Sequence, residues 1–174
     1  MVKSENMITE EIRKRISEYI SENYVETTDQ GFMYENNPDL TKDAGKSFAK
    51  KDSVSLDQLV NQVGESFHDA LFRLIQESGM SEADVYKRAN IDRKLFSKIR
   101  SNPAYHPRKH TVLALAIALK LNIDDTVDLL ARAEYALSPG SKGDLIVKYF
   151  IEQGVYDIMT INYALDEYGE DILG

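Results

Sequence analysis

Between Lys87 and Lys109 the chain carries Lys87, Arg88, Arg93, Lys94, Lys98, Arg100, Arg108 and Lys109 against one acid, Asp92. That concentrates seven net positive charges in a protein whose net charge is −8. The chemistry open to such a stripe is electrostatic: it can hold phosphates, or the carboxylates of another macromolecule. The plain alternative is a solvated helix face. Against that alternative, the stripe runs on past any single helix to Arg108 and Lys109, and acids are almost absent from it.

Other chemistry-bearing residues are less well arranged. His106 and His110 stand four apart, as two ligands on one helix face would. Pro107 intervenes, however, no third histidine converges, and there is no cysteine, so no metal site is expected. The tripeptide Gly45–Ser47 reads GKS, but Leu40 stands where a phosphate-binding loop needs a further glycine, and no strand pattern precedes it. Asp166, Glu167, Glu170 and Asp171 lack the apolar surroundings that shift a carboxylate's pKa, so they read as a solvated acidic tail. His68 reads as a helix-surface residue, and Tyr86 as core more than as a stacking platform, a role also open to Tyr105. No nucleophile is paired with a base. The sequence therefore predicts neither an enzyme nor a bound cofactor.

The elements that position the stripe follow from periodicity and caps. With 174 residues and 43% apolar side chains, the chain can bury a core without disulfides. The N-terminus has no apolar signal segment, and the longest apolar run, TVLALAIALKLNI, is broken by Lys120. A cytoplasmic protein without membrane segments is expected. Residues 1–26 hold an amphipathic helix capped by Thr9, with Ile8, Ile12, Ile16, Tyr19, Ile20 and Tyr24 at helical spacing. The stripe Ile8, Ile12, Ile16 and Ile20 is expected to dimerise. Residues 27–53 are polar and aperiodic and read as a linker or long loop, with Phe32, Met33 and Tyr34 as docking residues.

From 54 to 137 the chain reads as consecutive short helices. Leu56, Leu59, Val60 and Val63 form one apolar stripe, which Phe67, Ala70, Leu71, Leu74 and Ile75 continue past Gly64 until Gly79 stops it. Ser81 and Asp92 cap the next two helices, and Asn90, which tolerates positive φ, makes the turn between them. In DRKLFSKIR, Leu95, Phe96 and Ile99 share one face and must point inward. Arg93, Lys94, Ser97 and Lys98 are left facing out. Helices over 111–121 and 124–136 follow. Residues 138–174 read as a helical hairpin turning at Gly154. It buries Leu145, Ile146, Tyr149 and Phe150, then Ile158, Met159, Ile161, Ala164 and Leu165, with Ile172 and Leu173 anchoring the tail. No segment alternates with period 2, so the fold class is all-α.

Two short helices joined by a tight turn, with basic residues on the second, form a helix-turn-helix pattern. From about Phe67 to Leu130 the sequence resembles the Cro/C1-type, or Xre, family. GMSEADVYKRANIDRKLFSKIR aligns with the scanning helix, turn and recognition helix, and PRKHTVLALAIALKLNIDDTVDLL with the closing segment. The resemblance implies a five-helix DNA-binding domain of a bacterial or phage transcription regulator. In it Arg93, Lys94, Ser97 and Lys98 contact bases, while Lys87, Arg88, Arg100, Arg108 and Lys109 position phosphates. The partner implied is double-stranded DNA, bound by a homodimer. Three residues depart from the pattern: Glu82 where a phosphate-contacting glutamine is common, Tyr86 at the small-residue position, and Asn90 for the turn glycine. Glu82 and the acidic flanks fit a rival reading, a protein-interaction or inhibitor module of a phage or defence system, docking an acidic partner without reading DNA. The stretch from LFSKIRSN through YFIEQGVYDIMTINYAL also resembles a C-terminal accessory module of uncharacterised bacterial proteins, some with macro domains. The chain upstream is too short for a macro domain, so no ADP-ribose chemistry is implied.

Overall fold

The computed structural model describes residues 8–26 and 64–174. The linker expected over 27–53, the Gly45–Ser47 tripeptide, the docking residues Phe32, Met33 and Tyr34, and the stripe Leu56, Leu59, Val60 and Val63 lie outside the described residues. What is described is helical throughout, with no strand. The helices are α1 (Glu10–Asn23), α2 (Phe67–Ser78), α3 (Glu82–Arg88), α4 (Arg93–Ser101), α5 (Lys109–Ala118), α6 (Ile123–Arg132), α7 (Lys142–Glu152) and α8 (Ile158–Glu167).

Their starts are written in single residues. Thr9, Ser66, Ser81, Asp92, Asn122, Ser141 and Asp157 each accept a hydrogen bond from a first-turn amide. Each such cap contributes about 1 kcal/mol. Only α5 differs among the described helices: its cap residue, Arg108, makes no side-chain bond. The apolar stripe does not continue as helix through Gly64, because α2 begins afresh at Phe67. Ser66 accepts from the Asp69 amide, and Arg132 Nη1 donates to the Glu65 carbonyl at 2.6 Å, fixing the chain outside the helix there.

The ends share one device. Asn90, Lys120 and Glu134 take positive φ of 54°, 55° and 60°, and the residue after each donates back to the last turn. Ile91 N reaches Tyr86 O at 2.9 Å, Leu121 N reaches Ala116 O at 3.0 Å, and Tyr135 N reaches Leu130 O at 2.9 Å. This satisfies carbonyls that the helix leaves unpaired and turns an apolar residue inward. The turn at Glu134 ends α6 at Arg132, short of the 136 that periodicity gives.

The core is built around α5. Thr111 to Leu119 are all buried, so this helix has no solvent face. It packs against α3, α6 and α8, so residues 67–132 and the hairpin α7–α8 share one hydrophobic core. Leu145, Ile146, Tyr149, Phe150, Ile158, Ile161, Ala164 and Leu165 are buried in it. Met159 is not: it is 46% exposed, on the outer side of α8 with Tyr163 one turn on. In the tail Leu173 is buried and Ile172 exposed. The Asn162 side chain grips both backbone groups of Leu173, donating to its carbonyl at 3.0 Å and accepting from its amide at 2.8 Å. The tail then meets the α3–α4 turn, where a Cβ on Gly174 would stand 2.7 Å from Asn90 O.

The N-terminal helix finds its partner inside the chain. α1 packs on α7, with Ile8, Ile16 and Ile20 buried and Ile12 half-buried. Tyr19 meets the edge of Tyr149 at 5.4 Å and donates to Glu152 at 2.8 Å, while Arg13 Nε lies 2.6 Å from Glu167. Ile8, Ile16 and Ile20 of the stripe assigned to dimerisation are thus covered within one protomer, where α1 packs on α7.

Candidate nucleic-acid interface

Helix α4 is strongly two-faced. Asp92 accepts from Lys94 N at 2.6 Å and starts it. Phe96 and Ile99 are buried, and Phe96 is held between Tyr86, at 5.6 Å, and Phe72, at 6.1 Å. Tyr86 therefore serves the core, filling the space between the two helices. At the far end of α4 the imidazole of His68 contacts the Arg100 carbonyl, Nε2 to O at 3.1 Å, and so occupies a group the helix leaves open.

The outer face carries Arg93, Lys94, Ser97 and Lys98, all exposed. Among the described residues none of the three cations pairs with a carboxylate. Lys98 Nζ instead sits 4.3 Å over the Tyr105 ring, a cation–π contact that steadies it without neutralising it. These four residues form one continuous surface, and aromatic packing beneath holds it in place.

The five residues placed in phosphate-positioning roles do not form one group. Arg108 is exposed at the start of α5, beside amides that no side chain caps and with no acid in the first turn. That is a favourable setting for an anion. Arg100 is bound to Glu82, Nη1 to Oε2 at 3.0 Å, which joins the end of α4 to the start of α3. Lys109 points inward and pairs with Asp144, Nζ to Oδ2 at 2.5 Å. Asp144 is 5% exposed and also accepts from the Ser138 amide at 2.7 Å. Lys109 is therefore removed from the anion-facing set: the first turn of α7 claims it. Lys87 and Arg88 line a different concavity, with Lys120 and the start of α8 and without any α4 residue.

The two histidines are separated. His106 packs against Tyr135 with the rings tilted, centroids 5.1 Å apart, while His110 lines a small polar cavity with Asp144, Glu170 and Asp171. No group of three or more metal-ligating side chains occurs among the described residues. Two participants escaped sequence reasoning. The Glu82–Arg100 pair spans the helix-turn-helix and has no local signature. Lys120 did leave a signal, since a lone cation ending an apolar run marks an exposed turn.

Residues 70–130 match the Cro/C1-type HTH DNA-binding domain. The matched stretch runs from within α2 into α6 and contains the whole of α3, α4 and α5. No curated protein and no solved structure matches the chain. A Cro/C1-type helix-turn-helix domain thus occupies residues 70–130, and α4 lies within it. Helices α1, α7 and α8 lie outside the match.

Proposed function

We propose that the protein is a DNA-binding transcriptional regulator whose α4 enters the major groove. The observation that carries this is the outer face of α4, where Arg93, Lys94, Ser97 and Lys98 stand exposed, with the cations unpaired among the described residues. Arginine or lysine on such a helix donates to guanine O6 and N7, and serine reaches either partner of a base pair. Arg108 at the open start of α5 holds a phosphate and sets the register. A single recognition helix reads one half-site, so a specific operator is read by two copies. In this reading the protein is not an enzyme, and its partner is double-stranded DNA.

Glu82 favours the rival, a scaffold that docks an acidic protein. Its carboxylate stands where phosphate would approach the first turn of α3. Its pairing with Arg100 offsets that repulsion, and so the DNA reading is kept. The test is capture of genomic fragments by the intact protein at two salt concentrations, followed by sequencing. Enrichment of a palindromic motif that persists at the higher salt is expected. Binding without sequence enrichment leaves only an anion-facing surface, and no duplex binding at low salt gives the surface to a protein partner.

A further inference from the structure

A second cationic surface lies away from α4. Lys87 and Arg88 at the end of α3, and Lys120 in the turn after α5, converge on an open groove of about 520 Å³. Its other wall is the start of α8, with Tyr156, Asp157 and Met159. No carboxylate pairs with the three cations among the described residues. Arg88 makes only a long contact to the sulfur of Met80, at 3.9 Å. Asp157, the one acid in the wall, is engaged as the cap of α8, accepting from Thr160 N at 2.9 Å and Thr160 Oγ1 at 2.6 Å. The groove is therefore net positive, and its far side is apolar and polarisable, with Met159 46% exposed.

We infer that this groove binds a small phosphorylated aromatic molecule of mononucleotide size. Three cations around one concavity repel one another, and a phosphate placed between them turns that repulsion into attraction. A helix-dipole role accounts for Lys87 and Arg88 in the last turn of α3. It does not account for Lys120, on a different element, facing the same space. Met159 and Tyr156 supply the soft apolar contacts that suit an aromatic ring. The volume falls within the roughly 300–1,000 Å³ usual for small-molecule sites. Asn90 also lines the groove, so an occupant touches the turn that sets the start of α4 and the C-terminal hairpin at once.

The experiment is an amide NMR titration of the full chain with AMP, and separately with inorganic phosphate, at constant ionic strength. Saturable shifts are expected at Lys87 to Asn90, at Lys120 and at Tyr156 to Met159, with AMP binding roughly ten-fold tighter than phosphate. Arg88→Gln and Lys120→Asn should each weaken AMP binding roughly five-fold or more, while the double change Arg93→Ala with Lys94→Ala leaves it intact. Asparagine tolerates the φ of 55° at position 120, so that variant keeps the turn. No saturation by about 10 mM AMP, or shifts centred on Arg93 to Ser97, overturns the inference. So do Arg88→Gln and Lys120→Asn variants that bind AMP as the parent does. The readout needs no DNA, so a failed operator search leaves it standing or falling on its own.

Discussion

Lys109 and Asp144 form an ion pair, Nζ to Oδ2 at 2.5 Å, that ties the start of α5 to the first turn of α7. Both ends are largely shielded, with side-chain exposures of 24% and 7%. Removing one partner leaves a charge in a poorly solvated place, and such losses run to about 3 kcal/mol. Lys109→Ala is therefore expected to lower the melting temperature clearly and to leave the salt dependence of DNA binding unchanged. Arg108→Ala, one residue earlier, should do the reverse, with no thermal effect and a salt slope reduced by about one. Thermal unfolding and a salt titration of DNA affinity on both variants check this.

Glu82 and Arg100 give a second, opposite expectation. Their pair is a surface one, so its loss should change stability by less than about 1 kcal/mol. Glu82→Gln removes a negative charge from the first turn of α3 and frees the Arg100 guanidinium. DNA affinity at low salt should rise several-fold, and the salt slope should grow by about one. An unchanged slope would mean that Arg100 stays away from phosphate even when released.

The N-terminal helix yields a prediction about assembly. Ile16 is 1% exposed and lies against its own chain. Ile16→Asp buries a carboxylate and leaves a cavity, which should cost on the order of 3–5 kcal/mol. The loss should be the same at every protein concentration, as measured by calorimetry from micromolar to hundreds of micromolar. A loss that shrinks as concentration rises would instead return this stripe to a dimer interface.

Acid should weaken the clamp between α2 and α6. Glu65 sits with Arg73, Nε to Oε1 at 2.9 Å, and with Arg132 at 3.5 Å. The hydrogen bond from Arg73, aided by the charges of Arg73 and Arg132, holds its carboxyl below the usual 4.5. A depressed pKa means that the stabilisation is fully present above 4.5 and is lost as pH falls through the lower, folded-state value. Glu65→Gln should unfold at lower temperature than the parent at pH 7, and the two should converge as pH falls through the lowered folded-state value. Melting curves across that range decide it.

Local rules carried the sequence far. The caps Thr9, Ser81 and Asp92, the stop at Gly79, the turn at Asn90 and the inward face of Phe96 and Ile99 each depend on a few adjacent residues, so periodicity and cap chemistry expose them. What stayed hidden depends on distance. Nothing near Lys109 marks it as the partner of an aspartate 35 residues away. Nothing near Ile16 says whether its apolar face meets α7 or a second copy. Met159 looks like core in one dimension because its helix is apolar on more sides than the fold uses. Lys87 and Arg88 joined the stripe because they precede α4 in sequence, although the end of α3 turns them toward Lys120 and α8.

The charges on α4 should separate base reading from phosphate holding. Arg93 and Lys94 are exposed in its first turn, the part of a recognition helix nearest the base edges. Arg93→Ala or Lys94→Ala should weaken binding to the selected site by about 1–3 kcal/mol and change binding to random duplex much less. Lys98 lies a turn later and is partly held by Tyr105, so Lys98→Ala should fall between these and Arg108→Ala. Phe96→Ala is the control for folding, since its ring packs between Tyr86 and Phe72 and its loss should cost about 3–5 kcal/mol of stability. Fluorescence anisotropy against the selected operator and a scrambled duplex, at two salt concentrations, gives all the comparisons. If Arg93→Ala and Lys94→Ala weaken both duplexes equally, α4 holds the backbone only, and sequence must be read elsewhere or not at all.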